Sequence, residues 1–215
     1  MYKLCVFDMD GTFMNSIGDI AAAMNRSLKT LNKKTYTIGD YCKMVGDGME
    51  VLCRRALPDS DEEEIKKLIT LYKNDYIKNC CVETKPYDGM TELCKKLSLS
   101  GIKTAILSNK PHEQAVEIFK TLMIYDLFDE IMGCSAAYPP KPAPDSLIAI
   151  MKKFGANEDN TIYIGDSNVD IQLAKAAGVK SVGVKWGFRT EKELRDAGAD
   201  FIAGTSFELE NLLLY

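Results

Sequence analysis

Short apolar runs that stop abruptly at acidic or polar loops recur along this chain and limit its architecture more than any other feature. Lys3–Phe7 stops at Asp-Met-Asp-Gly-Thr, Lys103–Leu107 at Ser-Asn-Lys-Pro, Thr161–Ile164 at Gly-Asp-Ser and Ser181–Val184 at Lys-Trp-Gly, and a similar run covers Glu130–Gly133. Runs this short and apolar read as strands buried on both faces. Helical patterns lie between them at Gly89–Leu97, His112–Leu122, Asp145–Phe154 and Val169–Ala177. The alternation predicts an α/β fold with a doubly wound, mostly parallel, Rossmann-like sheet covered by helices on both faces.

From about Ser16 to Cys80 the alternation fails. Ile17, Ile20, Met24, Leu28 and Leu31 fall at helical spacing, and Ser60–Glu63 has the form of a capping box ahead of Ile65, Leu68 and Tyr72. The acidic run Asp61–Glu64 reads as a solvated helix start that complements the helix dipole. Residues 16–81 are therefore expected to form a small all-helical cap inserted after the first strand, with residues 1–15 and 82–215 as the core. Such an insert crosses the mouth of the sheet twice and can open and close over a ligand.

With 46% hydrophobic residues in 215, the chain has enough apolar surface to bury a core without staples. Its 27 basic and 31 acidic residues give a net charge of −4 without a basic stripe, which excludes nucleic acid and a membrane surface as partners and favours a small polar molecule. The opening apolar run is too short for a signal peptide, and no stretch approaches the ~20 apolar residues of a membrane span, so a cytoplasmic location is expected. Seven cysteines, two of them adjacent at Cys80 and Cys81 and none spaced Cys-x-x-Cys, argue for reduced core thiols rather than a disulfide framework or a zinc cluster. His112 is the single histidine, so carboxylates are left to carry the chemistry.

Four polar clusters fall where predicted strands end, the position at which a doubly wound sheet binds its ligand. Asp8 and Asp10 are two apart in extended chain, so their carboxylates share one side, and Gly11 frees the turn that follows. Ser108-Asn109 offers a hydroxyl and backbone N–H groups just before a helix. Lys141 lies in Lys-Pro-Ala-Pro, a loop stiffened by proline. Gly165-Asp166-Ser167-Asn168-Val169-Asp170 adds two further carboxylates at a strand-to-helix junction. Acids converging on one mouth repel unless a cation is present, and hard oxygen ligands point to Mg²⁺.

In order, type and separation, Asp8-Met9-Asp10-Gly11-Thr12, Ser108-Asn109-Lys110, Lys141-Pro142 and Gly165–Asp170 resemble the four motifs of the haloacid dehalogenase superfamily. The resemblance implies that Asp8 attacks phosphorus to form an aspartyl-phosphate and that Asp10 is the general acid and then the general base. It implies Mg²⁺ held by Asp8, the Asp10 carbonyl and Asp166, and phosphoryl oxygens held by Ser108, the Asn109 amide and Gly11. Lys141 would spread positive charge over the transferring group, supported by Asp170 and Ser167. Asp10 favours phosphate over halide chemistry.

Thr12–Ser16, Val45–Met49, Arg55–Leu57, Pro86–Gly89 and Val184–Gly187 resemble the phosphoglycolate phosphatase-like group, except that Asn15 stands where aspartate is usual and is expected to serve as a helix N-cap. The implied substrate is 2-phosphoglycolate or a similar small phosphomonoester, and the implied assembly a monomer or homodimer. β-Phosphoglucomutase, pyrophosphatase and phosphonate hydrolase activity are the alternatives within the fold. A non-catalytic phosphate-binding or phospho-acceptor module is the alternative outside it. In the insert, Gly46 and Gly48 read either as a loop approaching the leaving group or as a turn between helices. Arg54 and Arg55 read as anion ligands or surface charge, and His112 as a leaving-group contact or an exposed helical residue.

Overall fold

The computed structural model describes residues 2–215. Strand β1 (Leu4–Phe7) is followed by the two-residue β2 (Met14–Asn15) and four helices: α1 (Ile17–Thr30), α2 (Ile38–Met44), α3 (Met49–Ala56) and α4 (Glu62–Asn79). After β3 (Lys85–Pro86) the chain alternates through α5 (Met90–Leu99), β4 (Lys103–Pro111), α6 (His112–Thr121), β5 (Glu130–Cys134), α7 (Asp145–Lys153) and β6 (Thr161–Gly165). It ends with α8 (Asn168–Ala176), β7 (Lys180–Val184), α9 (Glu191–Ala197), β8 (Phe201–Ala203) and α10 (Ser206–Leu214).

The main sheet has six strands in the order β5-β4-β1-β6-β7-β8, all parallel. Leu4 and Val6 of β1 enter the apolar cluster formed with α7 and α8, whereas Cys5 and Phe7 enter the cluster on the other face. That strict alternation, buried on both sides, makes the strand readable as one unbroken apolar run. From β1 the chain turns to β4 and β5 on one side, and from β6 to β7 and β8 on the other. The strand order thus reverses beside β1, and the crevice at the carboxyl ends of β1 and β6 is the place for a ligand.

Four helices and no strand fill the chain between β2 and β3, packed through Ile20, Met24 and Leu28 of α1 and Leu68, Tyr72 and Tyr76 of α4. The two crossings into this region pair as antiparallel β2 and β3. They are also tied by Asp19, whose buried carboxylate accepts from the backbone N–H groups of Val82, Glu83 and Thr84 and from the Thr84 hydroxyl at 2.7–3.1 Å.

Two expected caps shift by one residue. Asp61, not Ser60, caps α4 by accepting from the Glu64 amide at 2.9 Å, because the same spacing of cap and glutamate is available one residue later and an aspartate there also carries the favourable charge. Asn15 lies in β2, and Ser16 occupies the N-cap position of α1 with a helical rather than extended backbone, so its side chain makes no cap bond, and its hydroxyl donates to Asp10. All seven cysteines are free thiols. Burial pushes Cys5 and Cys53 up to about 12, which keeps them protonated and inert. Among the described residues, no helix is long and apolar enough to cross a membrane.

Candidate active site

Asp8 extends β1 by one rung, its N–H donating to the Ile164 carbonyl at 2.8 Å, so its side chain leaves the sheet at the carboxyl edge. There Oδ1 accepts from Lys141 Nζ at 2.5 Å. The same ammonium donates to Asp170 Oδ1 at 2.8 Å and to the Tyr163 hydroxyl at 3.0 Å, which uses all three of its protons. Asp170 spends its other oxygen on the Ser167 amide and hydroxyl, at 3.0 and 2.6 Å, in a capping box that opens α8. Asn109 fixes the lysine loop. Its carboxamide donates to the Lys141 carbonyl and accepts from the Lys141 N–H, at 3.1 and 2.8 Å.

Asp166 sits in a slot that admits no extra carbon. A Cβ on Gly11, whose φ is +93°, would lie 2.4 Å from Asp166 Oδ2, and one on Gly187 would lie 2.2 Å from Asp166 Cβ. The Thr12 hydroxyl donates to its Oδ1 and the Phe188 amide to its Oδ2, at 3.2 and 2.7 Å. Oxygens of Asp8, Asp166 and Asp170 lie within 4.8 Å of one another, all three residues buried.

Burial drives the Asp8 carboxyl well above the usual carboxylate range, against the pull of Lys141 and with the push of Asp170 and Asp166. Asp166 is raised to about 7 by burial and by Asp170, partly offset by the Phe188 amide and the Thr12 hydroxyl. Lys141 is held charged despite its burial by Asp170 and Asp8. Three carboxylates against one ammonium leave a surplus negative charge in a buried site. Asp8 Oδ2 and the Asp166 oxygens, each of which accepts a single hydrogen bond, are hard oxygen donors with a lone pair left, whereas each Asp170 oxygen already accepts two, from Lys141 and Tyr163 and from the Ser167 amide and hydroxyl. The donor set therefore fits a divalent cation held by Asp8 and Asp166.

Asp10 is half-buried and lines the same cavity as Asp8. Ser16 Oγ donates to its Oδ1 at 2.5 Å, and Lys110 Nζ lies 3.1 Å from its Oδ2. Lys110 is itself buried, donates to the Tyr76 hydroxyl at 3.0 Å and stands 4.5 Å over that ring, which stacks on Tyr72 of the same helix. A narrow cavity of about 60 Å³ joins these groups, roofed by Val45, Gly46, Gly48, Met49 and Leu52.

Asp8, Asp10, Ser108, Asn109, Lys141, Asp166, Ser167 and Asp170 line this one cavity, as do Gly46 and Gly48. Both glycines have positive φ, and Gly48 comes so close to the core that a Cβ would lie 3.3 Å from the Asn109 carbonyl. Gly11 is brought to Asp166 instead of the cavity, and its amide donates to the Met14 carbonyl at 2.8 Å, so its place in the site is to make room for that carboxylate. Arg54 and Arg55 do not reach the cavity. Arg54 is paired on the surface with Glu50 and Glu62, and Arg55 with Asp47. His112 is exposed, its Nδ1 accepting from the Gly133 amide at 3.3 Å.

Lys110, Tyr163, Thr12 and Ser16 are site groups that sequence reasoning passed over. A further one is Arg189, which lines the cavity and whose guanidinium donates to the carbonyls of Cys42 and Val45 at the carboxyl end of α2. Lys110 adjoins the Ser108-Asn109 cluster, and Ser16 lies six residues from the aspartate it serves. Arg189 follows Trp186-Gly187 without any mark of its own.

Residues 5–184 match the family of haloacid dehalogenase-like hydrolases. The chain belongs to that family. A phosphoglycolate phosphatase of Colwellia psychrerythraea is 34% identical to it, over 96% of this chain and 95% of the relative. One of Aquifex aeolicus is 31% identical over 86% of each. The crystal structure of a predicted phosphoglycolate phosphatase of Haemophilus somnus superposes with a TM-score of 0.93 at 27% identity, covering 98% of this chain and 97% of that one. The fold described above is thus that of a hydrolase in this family.

Proposed function

We propose that this chain is a Mg²⁺-dependent phosphatase that hydrolyses a small phosphate monoester, 2-phosphoglycolate or a similar metabolite, through a phosphoryl group held transiently on Asp8. The observation that carries the reading is the buried Lys141 ammonium shared by Asp8 and Asp170 beside Asp166, which leaves Asp8 Oδ2 without a partner in the cavity. The phosphoglycolate phosphatases named above support the substrate class.

Asp8 Oδ2 attacks phosphorus while the bond to the ester oxygen breaks on the opposite side, and Asp10 gives its proton to the departing alkoxide. Water then attacks phosphorus, its proton goes to Asp10, and the bond to Asp8 breaks to release phosphate. Lys141 keeps Asp8 oriented and offsets the charge that develops at phosphorus, and Asp170 with Ser167 holds Lys141 in place. Ser108 and the Asn109 amide hold phosphoryl oxygens. Mg²⁺, bound by Asp8, the Asp10 carbonyl and Asp166, supplies charge neutralisation and orientation of the phosphoryl group.

Residues 16–81 act as a cap over a core of residues 1–15 and 82–215, pivoting on the β2–β3 pair, and close the cavity through Gly46 and Gly48. Every group named comes from one chain, so a monomer suffices and a homodimer is compatible with it. The free thiols support a cytoplasmic site of action. The test is phosphate release from 2-phosphoglycolate, pyrophosphate, β-glucose 1-phosphate and an aryl phosphate, with and without Mg²⁺. Metal-dependent release that disappears in Asp8→Asn is expected. Release from none of them by folded protein refutes the reading and favours a phosphate-binding module.

A further inference from the structure

The wall of the cavity contains one carboxamide whose nitrogen has no partner. Gln114, in the first turn of α6, is 5% exposed and lines the same cavity as Asp8 and Asp10, yet its Nε2 is buried without a hydrogen-bond partner. Buried amide groups are rarely left so, and one left so beside a reaction centre marks a place that a ligand fills. A half-turn about its last side-chain torsion exchanges nitrogen and oxygen without any movement of the helix, so the N–H can meet a ligand from either end of the carboxamide.

Lys110, four residues before it in sequence and at the end of β4, supplies the second donor. Its ammonium has Asp10 and the Tyr76 hydroxyl as partners for three protons. The balance of charge at this end differs from that at the phosphoryl end. Lys110 and Arg189 line the cavity, but Asp10 is the one acid paired with either, because the guanidinium of Arg189 is spent on carbonyl oxygens. A leaving group that ends in an anionic acceptor restores neutrality there, while a neutral alcohol does not. Gln114 and Lys110 share one cavity with Asp8 and Asp10, so an acceptor that meets them is carried on the leaving group itself.

We propose that Gln114 and Lys110 are the specificity-determining pair of the reaction, donating N–H bonds to the carboxylate of a leaving acid and so selecting acid-bearing esters over neutral ones. This rests on the phosphatase reading given above. Gln114 acts by binding the part of the substrate remote from phosphorus, so its effect falls on the choice between esters rather than on the chemistry common to both.

The experiment compares kcat/KM for 2-phosphoglycolate and for 2-hydroxyethyl phosphate, its neutral counterpart, in wild type, Gln114→Leu and the isosteric Gln114→Glu. Wild type is expected to prefer the acid. The acid-to-neutral ratio should fall about tenfold in Gln114→Leu, the loss of one hydrogen bond to a charged group, and further in Gln114→Glu, which sets a like charge against the substrate. A wild type that does not discriminate, or a ratio unchanged in Gln114→Glu, overturns the inference and leaves the phosphatase reading intact. Absence of Asp8-dependent release from either ester overturns both.

Discussion

Replacing Lys141 with methionine removes one ammonium and strands two buried carboxylates, Asp8 and Asp170, both of which it contacts. The side chain is 3% exposed, so water cannot take over its bonds. Removing one partner of a buried ion pair costs about 3–5 kcal/mol, a large share of the roughly 5–15 kcal/mol that holds a domain folded. For a chain of this length that loss corresponds to a fall in Tm of roughly 6–20 °C at pH 8 without metal. The sign with pH follows from the carboxylates. Without Lys141 the folded pKa of Asp8, already raised by burial, rises further above the unfolded one, so the folded state binds more protons, and the deficit shrinks as pH falls toward 5. Urea unfolding of wild type and variant in EDTA at pH 5 and pH 8 measures both quantities. A deficit below about 1 kcal/mol at pH 8, the size of an exposed pair, or one independent of pH, would refute the account of the ammonium as the group that makes these acids tolerable.

Asp166 is raised to about 7 in the metal-free protein, whereas an unfolded aspartate titrates near 4, so wild type in EDTA should lose stability as pH rises from 4 to 7. Mg²⁺ should bind more tightly over the same window as it displaces that proton, and calorimetry in two buffers of different ionisation enthalpy should detect the release; a flat Tm in EDTA would count against it. Gly11→Ala puts a methyl group 2.4 Å from Asp166 Oδ2 at a positive φ, so it should weaken Mg²⁺ activation about 10- to 100-fold and destabilise the fold, read from activity against Mg²⁺ concentration and from Tm. Asp10→Asn should slow turnover about 10²- to 10⁴-fold and, with an activated aryl phosphate, leave phosphate on Asp8 detectable by mass spectrometry; unmodified Asp8 after quenching would place the base elsewhere.

The sheet is legible because its strands are buried on both faces and therefore appear as unbroken apolar runs, each ended by the polar residue that leaves the sheet, as Phe7 is followed by Asp8 and Gly165 by Asp166. The end of the chain lacks that signature. β8 has three residues, and α9 buries Leu194 alone, so neither has a period to detect. In the site, the acids are visible at strand ends, but charge by itself does not say which cations face inward. Arg54 has Glu50 four residues before it, the spacing of a surface pair, and that local partner already marks it as solvated. Lys110 looks equally ordinary in sequence, yet its partners Asp10 and Tyr76 are remote and only the fold brings them together. Gln114 is the intermediate case. It stands four residues before Ile118 on the buried stripe of α6, where a glutamine has no structural reason to be. A polar residue on an apolar stripe, in the helix that follows a strand ending in Ser-Asn-Lys, is a signal that periodicity alone contains. It takes the cavity to show that the amide faces a reaction centre, and this is why the leaving-group subsite is read from the structure while the carboxylates are read from the sequence.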